Sequence, residues 1–447
     1  MNWTQLLSTQ RFRPQDGEMV PTHTPASLEG VDALRTDFHI DYDRVVFSSA
    51  FRRLGRKTQV HPFAKHDHTH NRLTHSVEVA SVGRSLGNRV GMMLQAQGCL
   101  PSGITAADMG MVVQVACLAH DLGNPPFGHT GEDALRDWCR APHHQHYWQH
   151  LSPAERCDVQ TYEGNAHSLR MVASLEMYRQ RGGMRLTAAV VGALLKYPWS
   201  STHAQAGGKF NVYQTELPFI RRVAAELGLP ELQLDVWARH PLSYLMEAAD
   251  DICYALLDLE DAVELELLEA RVVEQVFAGL ASLNEMSYPA ATDRQRCAML
   301  RGLAIGRAIE DVAQTFMAYQ TDLLQGTLPA KDLLALCSPA VQTTLHEAKE
   351  LARQQVFNHP SKLMLGIAAF PCLGSILDLL VPAVYAFITQ GQVSAQQGLA
   401  LRLLHEDPIS PDEGLYHAYM KVLDFVGGLT DNAAAKMARE LSGIGMV

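Results

Sequence analysis

The fold of this chain is decided by the stretch Met111-Val-Val-Gln-Val-Ala-Cys-Leu-Ala-His120-Asp121-Leu-Gly-Asn-Pro-Pro-Phe-Gly-His129. Its first half is an apolar segment, which predicts a buried helix. The helix runs into an adjacent His–Asp pair and then into a turn rich in glycine and proline. Imidazole and carboxylate together are typical ligands of a divalent metal such as Mn, Fe, Mg or Zn. A break in the helix after Asp121 could leave one side of such a metal open, as catalysis requires.

A His–Asp pair by itself often occurs by chance, and the chain contains a second one, His66-Asp67. That pair lies in the polar run Lys65-His-Asp-His-Thr-His70 and follows no apolar helix. We therefore interpret it as part of an exposed loop and place the metal site at His120-Asp121.

Two other segments can supply further ligands. Upstream, a helix that begins near Arg72 offers His75. Downstream, an apolar helix carries Asp250, Tyr254 and Asp258 at four-residue spacing, so that one helical face presents all three. Burying a carboxylate without a partner is costly, and a cation beside this face is therefore expected. The alternative is a salt-bridged stripe on the surface.

The composition is that of an ordinary globular protein. The 447 residues are 47% hydrophobic and 19% charged, which excludes wholesale disorder. A formal net charge of −11 argues against a general nucleic-acid coat protein. Residues 35–72 nevertheless hold eight Lys or Arg against four Asp. This local excess indicates either an anion site or a solvated basic face.

Cysteine usage and the N-terminus bear on the cellular compartment. The eight cysteines are scattered and form no Cys-x-x-Cys pair, so neither a zinc ribbon nor a disulfide framework is indicated. Residues 1–12 contain no apolar signal-peptide core. We therefore expect a cytoplasmic protein.

One apolar stretch, residues 364–389, is long enough to span a bilayer and has Asp378 as its single charged residue. It also contains Pro371 and Pro382 and lacks flanking aromatic belts. We predict a buried helix that is broken near its prolines, with no membrane association. Its burial could include a subunit interface.

The rest of the chain indicates an all-α protein. Residues 106–120, 241–269, 272–283 and 293–325 are rich in good helix formers, with apolar residues at three- and four-residue spacing. Lys209–Glu216 is the best candidate for a short hairpin or irregular strand, and residues 13–30, 140–160 and 198–209 are predicted surface loops. We expect a flexible approach over 1–30, a catalytic domain over 31–270 and a C-terminal helical portion over 271–447 that packs on it.

The order of His75, His120-Asp121 and Asp250 resembles the HD superfamily and, within it, the deoxynucleoside triphosphate triphosphohydrolases, or dGTPase family. The resemblance covers about residues 30–265. Further matching segments are Ala50-Phe-Arg-Arg-Leu-Gly-Arg-Lys-Thr-Gln-Val60, Arg72-Leu-Thr-His-Ser-Val-Glu-Val79, Tyr162-Glu-Gly-Asn-Ala166, Lys196-Tyr-Pro198 and Glu247-Ala-Ala-Asp-Asp-Ile252.

The resemblance implies a fold and a reaction. The fold is an HD-domain helical bundle with additional C-terminal helices. The reaction is cleavage of dGTP or several dNTPs to the deoxynucleoside and inorganic triphosphate, by metal-activated water attack at the α-phosphorus. The metal would be held by His75, His120, Asp121 and Asp250, and would be Mn, Mg, Fe or another divalent ion.

The resemblance also assigns the catalytic pair. His129 matches the family's catalytic histidine, and Glu132 matches its acidic partner. A histidine nine residues after His120 is suited to give or relay the proton that the leaving 5′-oxygen needs, with the glutamate orienting it. The alternative is that His129 packs in the turn.

Two cationic residues match positions that contact the triphosphate, namely Arg72 and Lys209. Arg72 lies three residues before His75, so it can reach a phosphate while the histidine holds the metal. As alternatives, Arg72 could pair at the surface with Asp67 or Glu78, and Lys209 could be solvated in its Gly-Gly-Lys loop.

Three residues match the nucleoside end of the pocket. Tyr254 and Asp258 match positions that face the deoxyribose, and Gln59 matches a position that lines the sugar and base pocket. A tyrosine stacked under the sugar would disfavour a 2′-hydroxyl sterically. Tyr254 could instead be ordinary core, and Gln59 a structural hydrogen-bonder.

The match has gaps. Asn124 stands where some relatives have a second histidine, and the C-terminal third has no residue-level match, so base preference stays open. The alternatives are another HD-type nucleotide phosphohydrolase, such as a nucleotidase or phosphodiesterase, and a non-catalytic nucleotide sensor. By resemblance we expect a homo-oligomer, with a hexamer as the form that the resemblance suggests. The basic segment also suggests single-stranded DNA binding, although no aromatic ladder accompanies it.

Overall fold

The computed structural model describes residues 1–22, 35–58, 70–179, 181–204, 208–281, 292–357 and 360–444. Helices dominate these ranges, and the prediction of an all-α fold is confirmed. In chain order the α-helices are α1 (Trp3–Leu6), α2 (Asp37–Val46), α3 (Ser49–Arg53), α4 (Arg72–Ala96), α5 (Ala106–Ala119), α6 (Gly128–Arg140), α7 (Pro153–Gln160), α8 (Gly164–Arg170), α9 (Ala188–Leu194), α10 (Leu217–Leu227), α11 (Pro241–Glu264), α12 (Ala270–Phe277), α13 (Asp293–Ala318), α14 (Gln320–Gln325), α15 (Pro339–Ala352), α16 (Pro360–Gln390), α17 (Ala395–Arg402), α18 (Leu415–Gly428) and α19 (Asp431–Leu441).

The strands are short. Two antiparallel hairpins pair β1 (Arg11–Gln15) with β2 (Glu18–Thr22) and β3 (Glu231–Gln233) with β4 (Val236–Trp237). The candidate strand Lys209–Glu216 contributes one isolated bridge, from Ser200 to Val212. The predicted loop over 140–160 is partly helical, since a 3₁₀ helix covers Pro142–Trp148 and α7 follows it.

Helices α4 and α5 form the closest helix pair around the site. A β-carbon at Gly87 would lie 2.7 Å from the carbonyl oxygen of Met109, and one at Gly91 would lie 2.7 Å from the Cα of Ala106. Because the two glycines are four residues apart, they share one face of α4 and let the backbone of α5 approach it. Helix α11 packs against both, which brings the three predicted ligand-bearing helices together.

Buried apolar side chains form two cores. The larger one joins α1 to α5 with α9 to α13 and α15. The smaller one contains Trp148 together with side chains from α6, α7, α8 and α16 to α19. The described residues between 273 and 356 thus contribute to the same core as the first helices, while those between 373 and 434 pack with α6. The division at residue 270 stays a prediction.

The prediction that the apolar stretch 364–389 is broken at its prolines is wrong, because α16 runs without a break from Pro360 to Gln390. Pro371 and Pro382 lie about three turns apart, on one side of the helix that is not fully buried, so the missing amide donors do not fall in the core. The helical segment Lys362–Gln390 is long and apolar enough to cross a membrane. Of its most apolar 18 consecutive residues, 33% are buried inside the protein. The buried side of α16 belongs to the smaller core.

The N-terminus differs from the flexible approach predicted for residues 1–30. Residues 1–22 form α1 and the first hairpin, and Trp3 and Phe12 are buried in the larger core. Arg11 is also buried, where its guanidinium pairs with Asp41. The hairpin turns at Asp16-Gly17, both with positive φ, which is a recognised hairpin sequence.

Candidate active site

Three predicted ligands lie together where α4, α5 and α11 meet. Asn71 caps α4 by accepting the amides of Leu73 and Thr74, each at 3.0 Å, which sets the start of the helix and the direction of His75. His120 ends α5, and Asp250 lies midway along α11. One ligand atom from each of these three residues lies within 4.8 Å of the others.

The donor atoms of this group suit a divalent metal. Oδ1 of Asp250 lies 3.1 Å from Nε2 of His75 and 3.4 Å from Nε2 of His120. Nδ1 of His120 lies 2.5 Å from the carbonyl oxygen of Cys117. A carbonyl only accepts, so Nδ1 carries the hydrogen and the Nε2 lone pair of neutral His120 faces the group. This arrangement is usual for metal-binding histidines.

The electrostatics of the group also favour a cation. Burial opposes ionisation of Asp250, but His120 and His75 outweigh it and hold the pKa of the carboxyl well below its ordinary value. Burial likewise lowers the pKa of His120, yet the carboxylates of Asp121 and Asp250 raise it to about 9. Positive charge between these residues is therefore strongly stabilised, and a metal ion can take the place of the proton.

Asp121 lies at the edge of this group. Its Oδ1 is 3.5 Å from Nε2 of His120, and its Oδ2 accepts from Nη1 of Arg72 at 2.7 Å. The side-chain amide of Asn124 donates from Nδ2 to Oδ1 of Asp121. Burial raises the pKa of Asp121, but Arg72 and the two histidines lower it to about 2. Its carboxylate is thus ionised beside the cluster, and its role as a fourth ligand stays a prediction.

His129 and Glu132 form a pair on the first turn of α6. Nδ1 of His129 lies 3.1 Å from Oε2 of Glu132, which also has Lys209 and Arg136 each at 3.5 Å. Oε1 accepts the amide of Gly164 at 2.7 Å. Burial raises the pKa of Glu132, but the hydrogen bond from His129 and the nearby cations lower it to about 2. The glutamate is an ionised acceptor that orients the imidazole.

Both groups open into one cavity of about 460 Å³, a size common among small-ligand sites. Its wall includes the three clustered residues, Asp121, the His129–Glu132 pair and four cationic side chains. The lining includes Thr58, Arg72, His75, His120, Asp121, His129, Glu132, Lys196, Tyr197, Lys209, Asp250, Tyr254 and Lys362.

The predicted triphosphate residues both line this cavity. Arg72 is buried and pairs with Asp121, while Glu78 pairs with His70, so the surface pairing of Arg72 with Glu78 is not observed. Nζ of Lys209 lies 2.9 Å from the carboxylate of Glu163. Lys209 is therefore held in place and is not merely solvated.

The three residues predicted to contact the nucleoside differ in where they lie. Tyr254 lines the cavity. Asp258, one turn further along α11, is buried, and its Oδ2 has no hydrogen-bond partner among the described residues. Burial and the neighbouring Asp261 raise the pKa of Asp258 to about 8. Gln59 lies outside the residues that the structure describes.

Several cavity residues were not assigned from the sequence. Lys196 pairs with Glu247 at 3.3 Å, and Tyr197 lies beside it. Both belong to the Lys196-Tyr-Pro198 motif, which was the available signal. Lys362 reaches the cavity from the start of α16, and burial lowers its pKa to about 8. No motif surrounds Lys362, so only the fold could identify it.

Comparisons with known proteins identify the family of this chain. The HD domain family model matches residues 72–151. A deoxyguanosinetriphosphate triphosphohydrolase-like protein from Pseudomonas aeruginosa is 43% identical over 99% of both chains, and one from Synechocystis is 36% identical over the full length of both. A deoxyguanosinetriphosphate triphosphohydrolase from Cronobacter sakazakii is 29% identical over 94% of this chain and 96% of its own. The chain therefore belongs to the deoxyguanosinetriphosphate triphosphohydrolase-like family of HD-domain proteins.

Proposed function

We propose that this protein hydrolyses deoxynucleoside triphosphates, dGTP or several dNTPs, to the deoxynucleoside and inorganic triphosphate. One observation carries the proposal. The cluster of His75, His120 and Asp250 shares a single cavity with the His129–Glu132 pair and four cationic side chains. The names of the full-length relatives support the same reaction class.

The metal in this proposal is held by His75, His120 and Asp250, with Asp121 as the fourth ligand. The mixed imidazole and carboxylate donors and the outward Nε2 of His120 fit such an ion. When bound, a divalent ion supplies Lewis acidity at the phosphoryl oxygens and makes water a better nucleophile.

The phosphate chain in this proposal is bound by cations already fixed in the protein. Arg72 lies next to the metal cluster, and Lys209 lies next to Glu132 and Glu163. Lys196 adds a third positive charge on the wall of the cavity. Preformed ion pairs hold these side chains in place, so little conformational entropy is lost when a phosphate binds.

The leaving 5′-oxygen needs a proton, which we assign to His129. The exposed imidazole projects into the cavity, and its Nδ1 faces the ionised Glu132. Glu132 therefore orients the ring, with Nε2 left to deliver the proton. Tyr254 would lie under the sugar, and Asp258 would bind the 3′-hydroxyl.

A product assay tests this function. The protein is incubated with each of the four dNTPs and with GTP, in Mn or Mg, and triphosphate is resolved from pyrophosphate and phosphate. Triphosphate from dNTPs with little from GTP supports the proposal. Pyrophosphate or phosphate would indicate the alternative of another HD-type nucleotide phosphohydrolase. No product together with dNTP binding would indicate a nucleotide sensor.

We also expect a homo-oligomer. At the start of α16, next to cavity residue Lys362, the apolar side chains of Met364 and Ile367 are 67% and 66% exposed. Contiguous exposed apolar residues often mark protein interfaces. Sedimentation equilibrium would measure the assembly, and a monomer at micromolar concentration would contradict this expectation.

A further inference from the structure

Residues 121–129 run from the end of α5 into the first turn of α6. They carry both halves of the proposed site, because Asp121 is the first of them and His129 is the last. Their backbone is held at successive points by other parts of the chain. The amide of Gly123 donates to Oγ of Ser168 at 2.9 Å, and its carbonyl oxygen accepts from Oη of Tyr162 at 2.9 Å. This active-site turn, residues 121–129, therefore depends on distant residues for its shape.

Of the residues that hold the turn, Asp431, the first residue of α19, is the most distant along the sequence. Its Oδ1 accepts the backbone amide of Phe127 at 2.9 Å. Its Oδ2 accepts both the amide and the hydroxyl of Thr58, at 2.9 and 2.6 Å. The carboxylate is buried, so water cannot readily replace these bonds. The side chain of Asp431 thus joins the active-site turn to Thr58, which lines the cavity.

A second link runs through Lys57. Its buried ammonium donates to the carbonyl oxygens of Asn124 in the turn and Gly427 at the end of α18. A β-carbon at Gly427 would lie 2.3 Å from Oη of Tyr162, the hydroxyl that holds Gly123. Gly427 therefore packs so closely against Tyr162, which itself holds the active-site turn, that no side chain fits at this position.

Phe127 is the point at which this support matters most. Its φ is +65°, a left-handed conformation that is unfavourable for a residue with a β-carbon. Such a conformation persists where surrounding contacts hold it. His129 follows two residues later, in the first turn of α6. The direction of its imidazole therefore depends on the conformation at Phe127.

We propose that Asp431 is a positioning residue for the reaction. By accepting the backbone amide of Phe127, Asp431 sets the direction of the His129 imidazole relative to the cluster of His75, His120 and Asp250. The inference rests on the proposed function, and it gives α19 a role in the chemistry that acts through the active-site turn.

The test is Asp431→Asn. An amide offers one uncharged acceptor oxygen, and its NH₂ group cannot accept from a backbone N–H. The bond to Phe127 is therefore either lost or weakened by the loss of the negative charge. A displaced catalytic group lowers the rate by up to about 100-fold. We expect kcat to fall between about 10-fold and 100-fold, with KM and bound metal nearly unchanged.

A matched control is Asp158→Asn. Asp158 is another buried carboxylate that joins the C-terminal helices to the body, since it accepts from Oη of Tyr416 at 2.5 Å and from the amide of Gln214 at 2.7 Å. Among the described residues, no side-chain hydrogen bond or ion pair joins Asp158 to residues 121–129. Its loss should lower the melting temperature while kcat per folded molecule stays near that of the parent.

Amide hydrogen exchange provides a readout that is independent of turnover. In Asp431→Asn, peptides covering residues 121–132 should exchange faster, whereas in Asp158→Asn they should not. If the parent releases no triphosphate, the proposed function fails and exchange alone decides whether Asp431 sets the turn. Unchanged kcat and exchange in Asp431→Asn would overturn the inference, and so would an equal loss of kcat in Asp158→Asn.

Discussion

Nδ1 of His129 lies 3.1 Å from Oε2 of Glu132, and the two side chains differ sharply in exposure, at 78% and 2%. The glutamate is buried in a ring of donors, so its charge is fixed in position. The histidine is open to the cavity, so its ring can reach a ligand. This asymmetry is what a proton donor and its orienting partner require.

Glu132→Gln should therefore reduce turnover more than binding. The amide keeps the size of the side chain but lacks the negative charge that orients the imidazole. We expect kcat to fall about 100-fold with KM changed by less than about threefold. Steady-state kinetics on the best dNTP measures this. Asp133→Asn, an exposed neighbour on α6, is the control. Equal activity of Glu132→Gln and the parent would remove the pair from the mechanism.

Asp121→Ala should lose metal and activity together. The change removes a charged group beside the histidines and leaves the buried guanidinium of Arg72 without its carboxylate. Metal content after gel filtration, measured by elemental analysis, should fall below stoichiometric. Asp258→Ala should keep its metal and lose substrate use instead. Stoichiometric metal and normal turnover in Asp121→Ala would show that the ligand assignment is wrong.

Stability should depend on pH through Asp258. Its pKa is about 8 in the folded chain and 3.8 as the ordinary value, so between these values the unfolded chain holds fewer protons than the folded one. The free energy of unfolding therefore falls as pH rises through this window. Asp258→Asn removes this dependence and should gain on the order of 3 kcal/mol relative to the parent between pH 5 and pH 8.

Urea unfolding of the parent and Asp258→Asn at pH 5 and pH 8 measures this difference. Asp133→Asn again serves as the exposed control, and its difference from the parent should not change with pH. If the gap between Asp258→Asn and the parent is the same at both pH values, the carboxyl is not held neutral by burial.

Tyr254 should decide between deoxyribose and ribose. Shortening it to alanine opens the space beside the proposed 2′ position, and we expect the preference for dGTP over GTP, as the ratio of kcat/KM values, to fall at least about 10-fold. Tyr254→Phe retains the ring and should retain the preference. A preference that survives Tyr254→Ala would place sugar selection elsewhere in the cavity.

Much of this molecule follows from local patterns in its sequence. Helical spacing and helix-forming residues predict an all-α fold, because the periodicity of an amphipathic helix is a property of neighbouring residues. The i, i+3 spacing of His129 and Glu132 places them on adjacent turns once α6 forms. The ligand types at His75, His120 and Asp250 likewise indicate metal chemistry before any fold is known.

The tertiary structure decided what joins residues far apart in the chain. Lys362 on the cavity wall, the contact of Asp431 with Phe127, and the burial of Trp3 and Phe12 depend on helices meeting in space. Helix α16 continues through its prolines because packing against its other side outweighs a local preference. Local sequence determines which elements form and which chemistry they carry. Only their packing determines which of those groups share a cavity, because contacts over hundreds of residues leave no periodic trace in the chain.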